Sequence, residues 1–330
     1  MLEKSRAETE GRWGERSAGE PADRGPGGFV RRHALVSYHA LAYFVSWLVW
    51  LPYVLSQHGL GVVEIPFPEI LGTAQLAGVL PGAYLGPLGA AFFVTAIAEG
   101  RPGLRRWRGR LFRLGVGLRW YALTLVGVPA VLVLGTLALP GAAAGLSFPP
   151  LEALLFFAPM LLIQMVTTGL AEEPGWRDFA LPRHQRLQGP LVGTLILGVS
   201  WAGWHLPLFL TEWGRGIGGA NPGPVLLFVS FAVVVSIVIT WIFNNTRESL
   251  PLAVLFHAGI NTFASVMFVS VFTTLTVAWY PLLGGLIGFS VVALLLVVAT
   301  RGRLGYRPEP HKEHHDDGPV TRAGGTVKVA

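Results

Sequence analysis

Two adjacent carboxylates, Glu172 and Glu173, close the apolar run Leu154 to Leu170, and Arg177 follows them in the stretch Ala171-Glu-Glu-Pro-Gly-Trp-Arg-Asp178. Two later apolar runs carry His205, in Trp201-Ala-Gly-Trp-His205, and a pair four apart, His257 and Asn261. A carboxylate at the end of an apolar helix is partly desolvated and is a better general base than one in water. His257 and Asn261 share a helix face, and an imidazole and an amide there can both donate hydrogen bonds to a developing oxyanion. Trp201 stands one turn before His205, so its ring can wall the same site. The chemistry these groups offer is activation of a water. Glu173 is expected to pair with Arg177 and fix a local turn bent by Pro174 and Gly175.

Each element has a plainer alternative. Helix ends commonly carry charge, a histidine in a helix can be a hydrogen-bonded core group, and His and Asn hold helices together in membranes. Their combination in three separate apolar runs points to a site, because ionisable groups at membrane depth are costly and mark function by default.

The elements that position these residues follow from composition. Of 330 residues, 52% are hydrophobic and 13% charged, where a soluble domain carries roughly 25% charge. Mean hydropathy is +0.53. The net charge of +6 does not indicate a nucleic-acid partner, because the arginines sit in short segments between apolar runs, where charge orients helices in a bilayer. With no cysteine, disulfides, thiolate metal sites, a Cys nucleophile and a lipidated terminus are excluded.

About eight apolar segments are each long enough to cross a bilayer as a helix, at roughly 20 residues. They run approximately Ala34 to Ser56, Ile70 to Ala98, Leu118 to Leu139, Leu151 to Leu170, Leu191 to Leu210, Val225 to Phe243, Leu252 to Phe272 and Pro281 to Thr300. The runs are continuous rather than alternating, which does not fit barrel strands. The expected fold is an all-α bundle of transmembrane helices over 31–305, with disordered tails at 1–30 and 306–330. Gly82/Gly86 and Gly284/Gly288 have the spacing that lets helices approach closely. No internal repeat argues for an inverted-repeat transporter.

Arginines set an expected orientation. Arg101, Arg105, Arg106, Arg108, Arg110, Arg113 and Arg119 lie between the second and third segments, while Gln57 to Glu69 has no Lys or Arg. The positive-inside rule then places both termini of a multi-pass cell-membrane protein in the cytoplasm, with Gln57 to Glu69 and Pro140 to Pro150 outside. On that count, with Arg183 and Arg186 nearby, the Glu172 site is expected to open to the cytoplasm.

The order Glu-Glu-x-x-x-Arg, aromatic-x-x-x-His, His-x-x-x-Asn, each in or at the end of a membrane helix, resembles the CAAX protease and bacteriocin-processing family of intramembrane glutamic endopeptidases. The resemblance spans roughly Leu151 to Val271; the second motif begins with Trp201 where Phe is frequent, which changes the wall and not the chemistry. It implies hydrolysis of a peptide bond in a peptide or protein substrate. Glu172 would deprotonate a water with help from His205, His257 and Asn261 would stabilise the oxyanion, and Glu173 and Arg177 would support them. No cofactor and no metal are expected: one Glu and two His satisfy a catalytic zinc in number, but Asn261 is a poor zinc ligand and H-E-x-x-H spacing is missing. A non-catalytic immunity or scaffold member of the family and a proton-coupled transporter are the alternatives.

Overall fold

The structure, a computed structural model, describes residues 25–308. Most of the two expected tails lies outside the described residues; at the inner edge of the first, Pro26–Arg32 forms a short helix, α1. The helices that follow are α2 (Ala34–Leu55), α3 (Gln75–Ala98), α4 (Gly100–Leu111), α5 (Leu118–Thr136), α6 (Leu151–Gln188), α7 (Pro190–Leu210), α8 (Glu212–Arg215), α9 (Pro222–Asn245), α10 (Leu250–Val271) and α11 (Tyr280–Thr300). Eight of them, all but α1, α4 and α8, are long and apolar enough to cross a membrane. Among the described residues there is no β-strand, only isolated bridges at Ile70/Thr73 and Leu146/Phe272.

Helix starts follow local chemistry: Pro190, Pro222 and Pro281 stand in the first turns of α7, α9 and α11, where a missing N–H costs nothing and φ is already helical. Gly189, at φ +83°, turns α6 into α7. Phe44, Phe93, Leu134, Leu155 and Val298 are exposed on the outer surface, an arrangement suited to lipid. The helix most enclosed by its neighbours is α10, with 67% of its apolar window buried against 22% for α11. It is the one that carries His257 and Asn261.

α6 departs from expectation. The fourth apolar run was expected to end near Leu170 with a bend at Pro174 and Gly175; the helix instead continues to Gln188 through two wide π-helical turns, Met165–Gly169 and Pro174–Ala180. Pro174 opens the second of these, where its lack of an N–H is least disruptive. None of the first fourteen residues of α6 is buried, whereas every residue from 171 to 182 is. α6 therefore starts on the surface and ends inside the protein.

Gly175 is a contact position, not a bend. A Cβ there would lie 2.5 Å from both the Pro87 carbonyl oxygen of α3 and the Tyr38 hydroxyl of α2. The two spaced glycine pairs also serve close approach: Gly82 and Gly86 face Trp50 and Ser46 of α2, and Gly284 and Gly288 face Thr136 and Val131 of α5.

The bundle has two distinct ends. Arg31 Nε donates to the Ile97 carbonyl at 3.3 Å, Arg110 of α4 pairs with Glu248 just past α9 at 2.6 Å, and Asn244 Nδ2 donates to the Leu304 carbonyl at 2.9 Å, so α1, the end of α3, α4 and both described chain ends lie together. At the opposite end Glu212 N donates to the His58 carbonyl (2.8 Å) and Ser147 N to the Val271 carbonyl (2.9 Å), tying the loops there to one another.

Gly175→Ala is expected to destabilise the protein by about 1–3 kcal/mol, the usual cost of an inserted methyl in a packed interior. Gly109→Ala, on the open side of α4 with nothing within 4 Å of its Cβ, is expected to be neutral or stabilising. Thermal unfolding of the two purified variants in detergent measures the difference; equal stability would remove the close-contact account of Gly175.

Candidate active site

α6, α7 and α10 converge on one cavity of about 410 Å³, lined among others by Glu172, Trp201, His205, His257 and Asn261. Glu173 and Arg177 are fully buried and do not line it. Successive residues of a helix point about 100° apart, so two neighbouring carboxylates face different surroundings.

Glu172 is 3% exposed, and its Oε2 accepts a hydrogen bond from the indole Nε1 of Trp201 at 2.7 Å. The Trp201 ring thus holds the carboxylate as well as walling the site. His205 Nε2 stands 3.8 Å from the same oxygen, beyond hydrogen-bond reach.

The orientation of His205 follows from how its helix ends. The backbone N–H of His205 bonds to the Ala202 carbonyl (3.1 Å), so the Trp201 carbonyl loses its usual partner and accepts from the ring Nδ1 instead, at 2.9 Å. A carbonyl can only accept, so Nδ1 carries the proton and Nε2 of the neutral ring is an acceptor facing Glu172. Trp213 of α8 stacks on the other face of the imidazole, with centroids 5.4 Å apart at 19°. Nothing in the local sequence joins Trp213 to His205; its contact depends on α8 folding back after Leu206–Leu210.

Behind the cavity wall, Glu173 joins two cations or potential cations. Its Oε1 accepts from His257 Nδ1 at 2.9 Å, and its Oε2 lies 3.4 Å from Arg177 Nε as an ion pair. The expected Glu173–Arg177 pair is present; the Glu173–His257 bond is an addition that helix spacing alone does not reveal. Arg177 also lies 3.3 Å from Ser236 Oγ of α9 and stacks 4.8 Å from the Trp201 ring centroid. With Nδ1 of His257 engaged, Nε2 is the atom left for the cavity that the ring lines. Asn261, one turn further along α10, lines the same space.

The direction of the cavity corrects an expectation. It is lined by Gln75 at the start of α3, Gly216 and Ile217 after α8, and Ala278 and Pro281 around the start of α11. These belong to the end of the bundle away from the arginine-bearing α4, not to the arginine end toward which the site was expected to open. The reason is the extra length of α6: Glu172 lies well before its end at Gln188, and His205 lies at the end of α7 remote from Arg183 and Arg186.

Comparison with known proteins agrees with this constellation. The family described as type II CAAX prenyl endopeptidase Rce1-like matches residues 154–263, a stretch that contains Glu172, His205, His257 and Asn261. A relative named CAAX prenyl protease 2, from Methanococcus maripaludis strain S2, is 25% identical over 231 residues, covering 68% of this chain and 83% of that protein. Over the segment that carries the motifs, the chain is similar to this family and to this relative.

Proposed function

We propose that this chain is an intramembrane endopeptidase in which Glu172 activates a water without a metal. The observation that carries the proposal is the pair of acceptors, Glu172 Oε2 and His205 Nε2, 3.8 Å apart at a cavity that also holds His257 and Asn261. Two facing acceptors have no proton to share, and a water donating one hydrogen to each suits them. Glu172 takes a proton as the water oxygen attacks the scissile carbonyl carbon. Asn261 Nδ2–H and His257 Nε2–H donate to the resulting oxyanion. The His257 ring is protonated on both nitrogens in this role, with its charge paired by Glu173. The intermediate collapses by breaking its C–N bond, and the proton on Glu172 passes to the departing nitrogen.

The donor set supports the metal-free reading. The fourth polar group at the cavity, Asn261, is a poor zinc ligand and a good hydrogen-bond donor, which favours an oxyanion-binding role over metal binding. Much of the cavity lining is apolar, including Leu76, Val79, Leu132, Phe231 and Leu282, which favours substrates with apolar groups beside the cleaved bond. The relative's name adds a prenylated CAAX peptide as the first substrate to test.

Purified protein is expected to cleave such a peptide at an undiminished rate after dialysis against a strong chelator. His257→Ala or Asn261→Ala is expected to lower turnover by about 10² to 10³, the cost of one oxyanion donor. Activity abolished by the chelator and restored by Zn²⁺ would instead establish a zinc enzyme.

We also place the arginine-bearing end, with both termini, in the cytoplasm of a cell-membrane protein, on the excess of arginine around α4. The cavity then leads toward the opposite face of the membrane. A reporter fused to the C-terminus is expected to read as cytoplasmic; an external signal would reverse the orientation and turn the cavity toward the cytoplasm.

A further inference from the structure

A second cavity of about 350 Å³ lies at the arginine end, remote from the Glu172 site. It is formed where the end of α3 and the start of α4 meet the last turns of α6. Four guanidinium groups, those of Arg106, Arg110, Arg183 and Arg186, line it against two carboxylates, Glu99 and Asp178.

The charges are not matched one to one. Arg110 is occupied, bonding Asp178 at 2.6 Å on one side and, on the other, Glu248 from outside the cavity at 2.6 Å. The remaining three arginines face a single carboxylate: Glu99 pairs with both Arg106, at 2.7 Å, and Arg183. Arg186 is exposed at the cavity, and its side chain makes no hydrogen bond or ion pair to another described residue. That wall therefore carries a surplus of two positive charges. Beside its pair with Glu99, Arg183 is held in place by its 2.7 Å bond to the Phe179 carbonyl and by lying 3.6 Å from the Phe179 ring centroid. Such preorganised forks match the oxygens of a phosphate group.

Position narrows the ligand. The cavity sits where two membrane-crossing helices end, with Trp107 in its wall and the lipid-facing Phe92 and Phe93 just before it on α3. Basic pockets at that depth suit anionic headgroups, and indole rings favour the same level.

We propose that this pocket is an anion site for a phosphate ester, contributed by the headgroup of an anionic phospholipid. It is independent of the peptidase reading, since none of its residues lines the Glu172 cavity. Its test is thermal unfolding of the full chain in a neutral detergent with added phosphatidylglycerol, phosphatidylcholine or inorganic phosphate. Phosphatidylglycerol is expected to raise the Tm and phosphatidylcholine to leave it unchanged. The double variant Arg106→Gln/Arg186→Gln, at two exposed positions, is expected to lose the shift. Arg105→Gln/Arg108→Gln removes the same charge from α4 outside the pocket and is expected to keep it. A shift with millimolar inorganic phosphate, lost in the same pocket variant, would support the site with a soluble source of the anion. No shift with either phosphate source, or one that survives in the pocket variant or vanishes equally in the control, would overturn the proposal. Retention of phosphatidylglycerol in native mass spectra of wild type and pocket variant gives a second readout that does not depend on stability.

Discussion

Arg177 and Glu173 are wholly buried within a membrane-crossing helix, and the rest of the structure is arranged around keeping them paired. A charge left alone in such surroundings is severely disfavoured, and removing one partner of a buried pair typically costs about 3–5 kcal/mol. The partners come from separate elements: His257 from α10, Ser236 from α9 and the Trp201 ring from α7 all meet the pair. Pairing one buried arginine with one buried glutamate thus draws together the same helices that carry the candidate catalytic groups. Close packing completes this convergence. Gly169 lets α6 lie against Val254 of α10, and Gly175 lets it lie against α2 and α3.

Two adjacent glutamates acquire different work from this arrangement. Glu173 faces the packed interior, where its Oε1 accepts from His257 and its Oε2 lies in an ion pair with Arg177. Glu172, one residue earlier, faces the cavity, where an indole N–H and an imidazole acceptor leave it free to exchange a proton. The Glu173 carboxylate fixes the His257 imidazole through Nδ1 and leaves Nε2 toward the cavity that the ring lines.

The helices and the motif residues were legible in the chain because long apolar runs and fourfold spacing are local signals. The eight spans begin and end within a few residues of the apolar segments, apart from α6, and the four residues from three runs do line one cavity. Spacing reveals which face a residue occupies but not which helix stands opposite, so the Glu173–His257 bond and the stacking of Trp213 on His205 were not readable. The depth of the site is hidden in the sequence for a related reason. Glu172 and Glu173 resemble a helix end when hydropathy alone is followed, because the buried, polar continuation to Gln188 no longer looks like membrane. Their neutralising partners are distant in sequence, and those partners are what permit the helix to continue.

The division of labour between the two glutamates is tested most directly by comparing Glu172→Gln with Glu173→Gln, measuring peptide turnover and Tm on the same purified preparations. Glu172→Gln preserves the acceptor for Trp201 and removes the proton acceptor, so turnover is expected to fall by about 10² to 10⁴ with the Tm near that of wild type. Glu173→Gln is expected to show the reverse balance, a lower Tm and a smaller loss of turnover in the molecules that remain folded. Wild-type turnover in Glu172→Gln, or equal losses of both quantities in the two variants, would contradict the assignment.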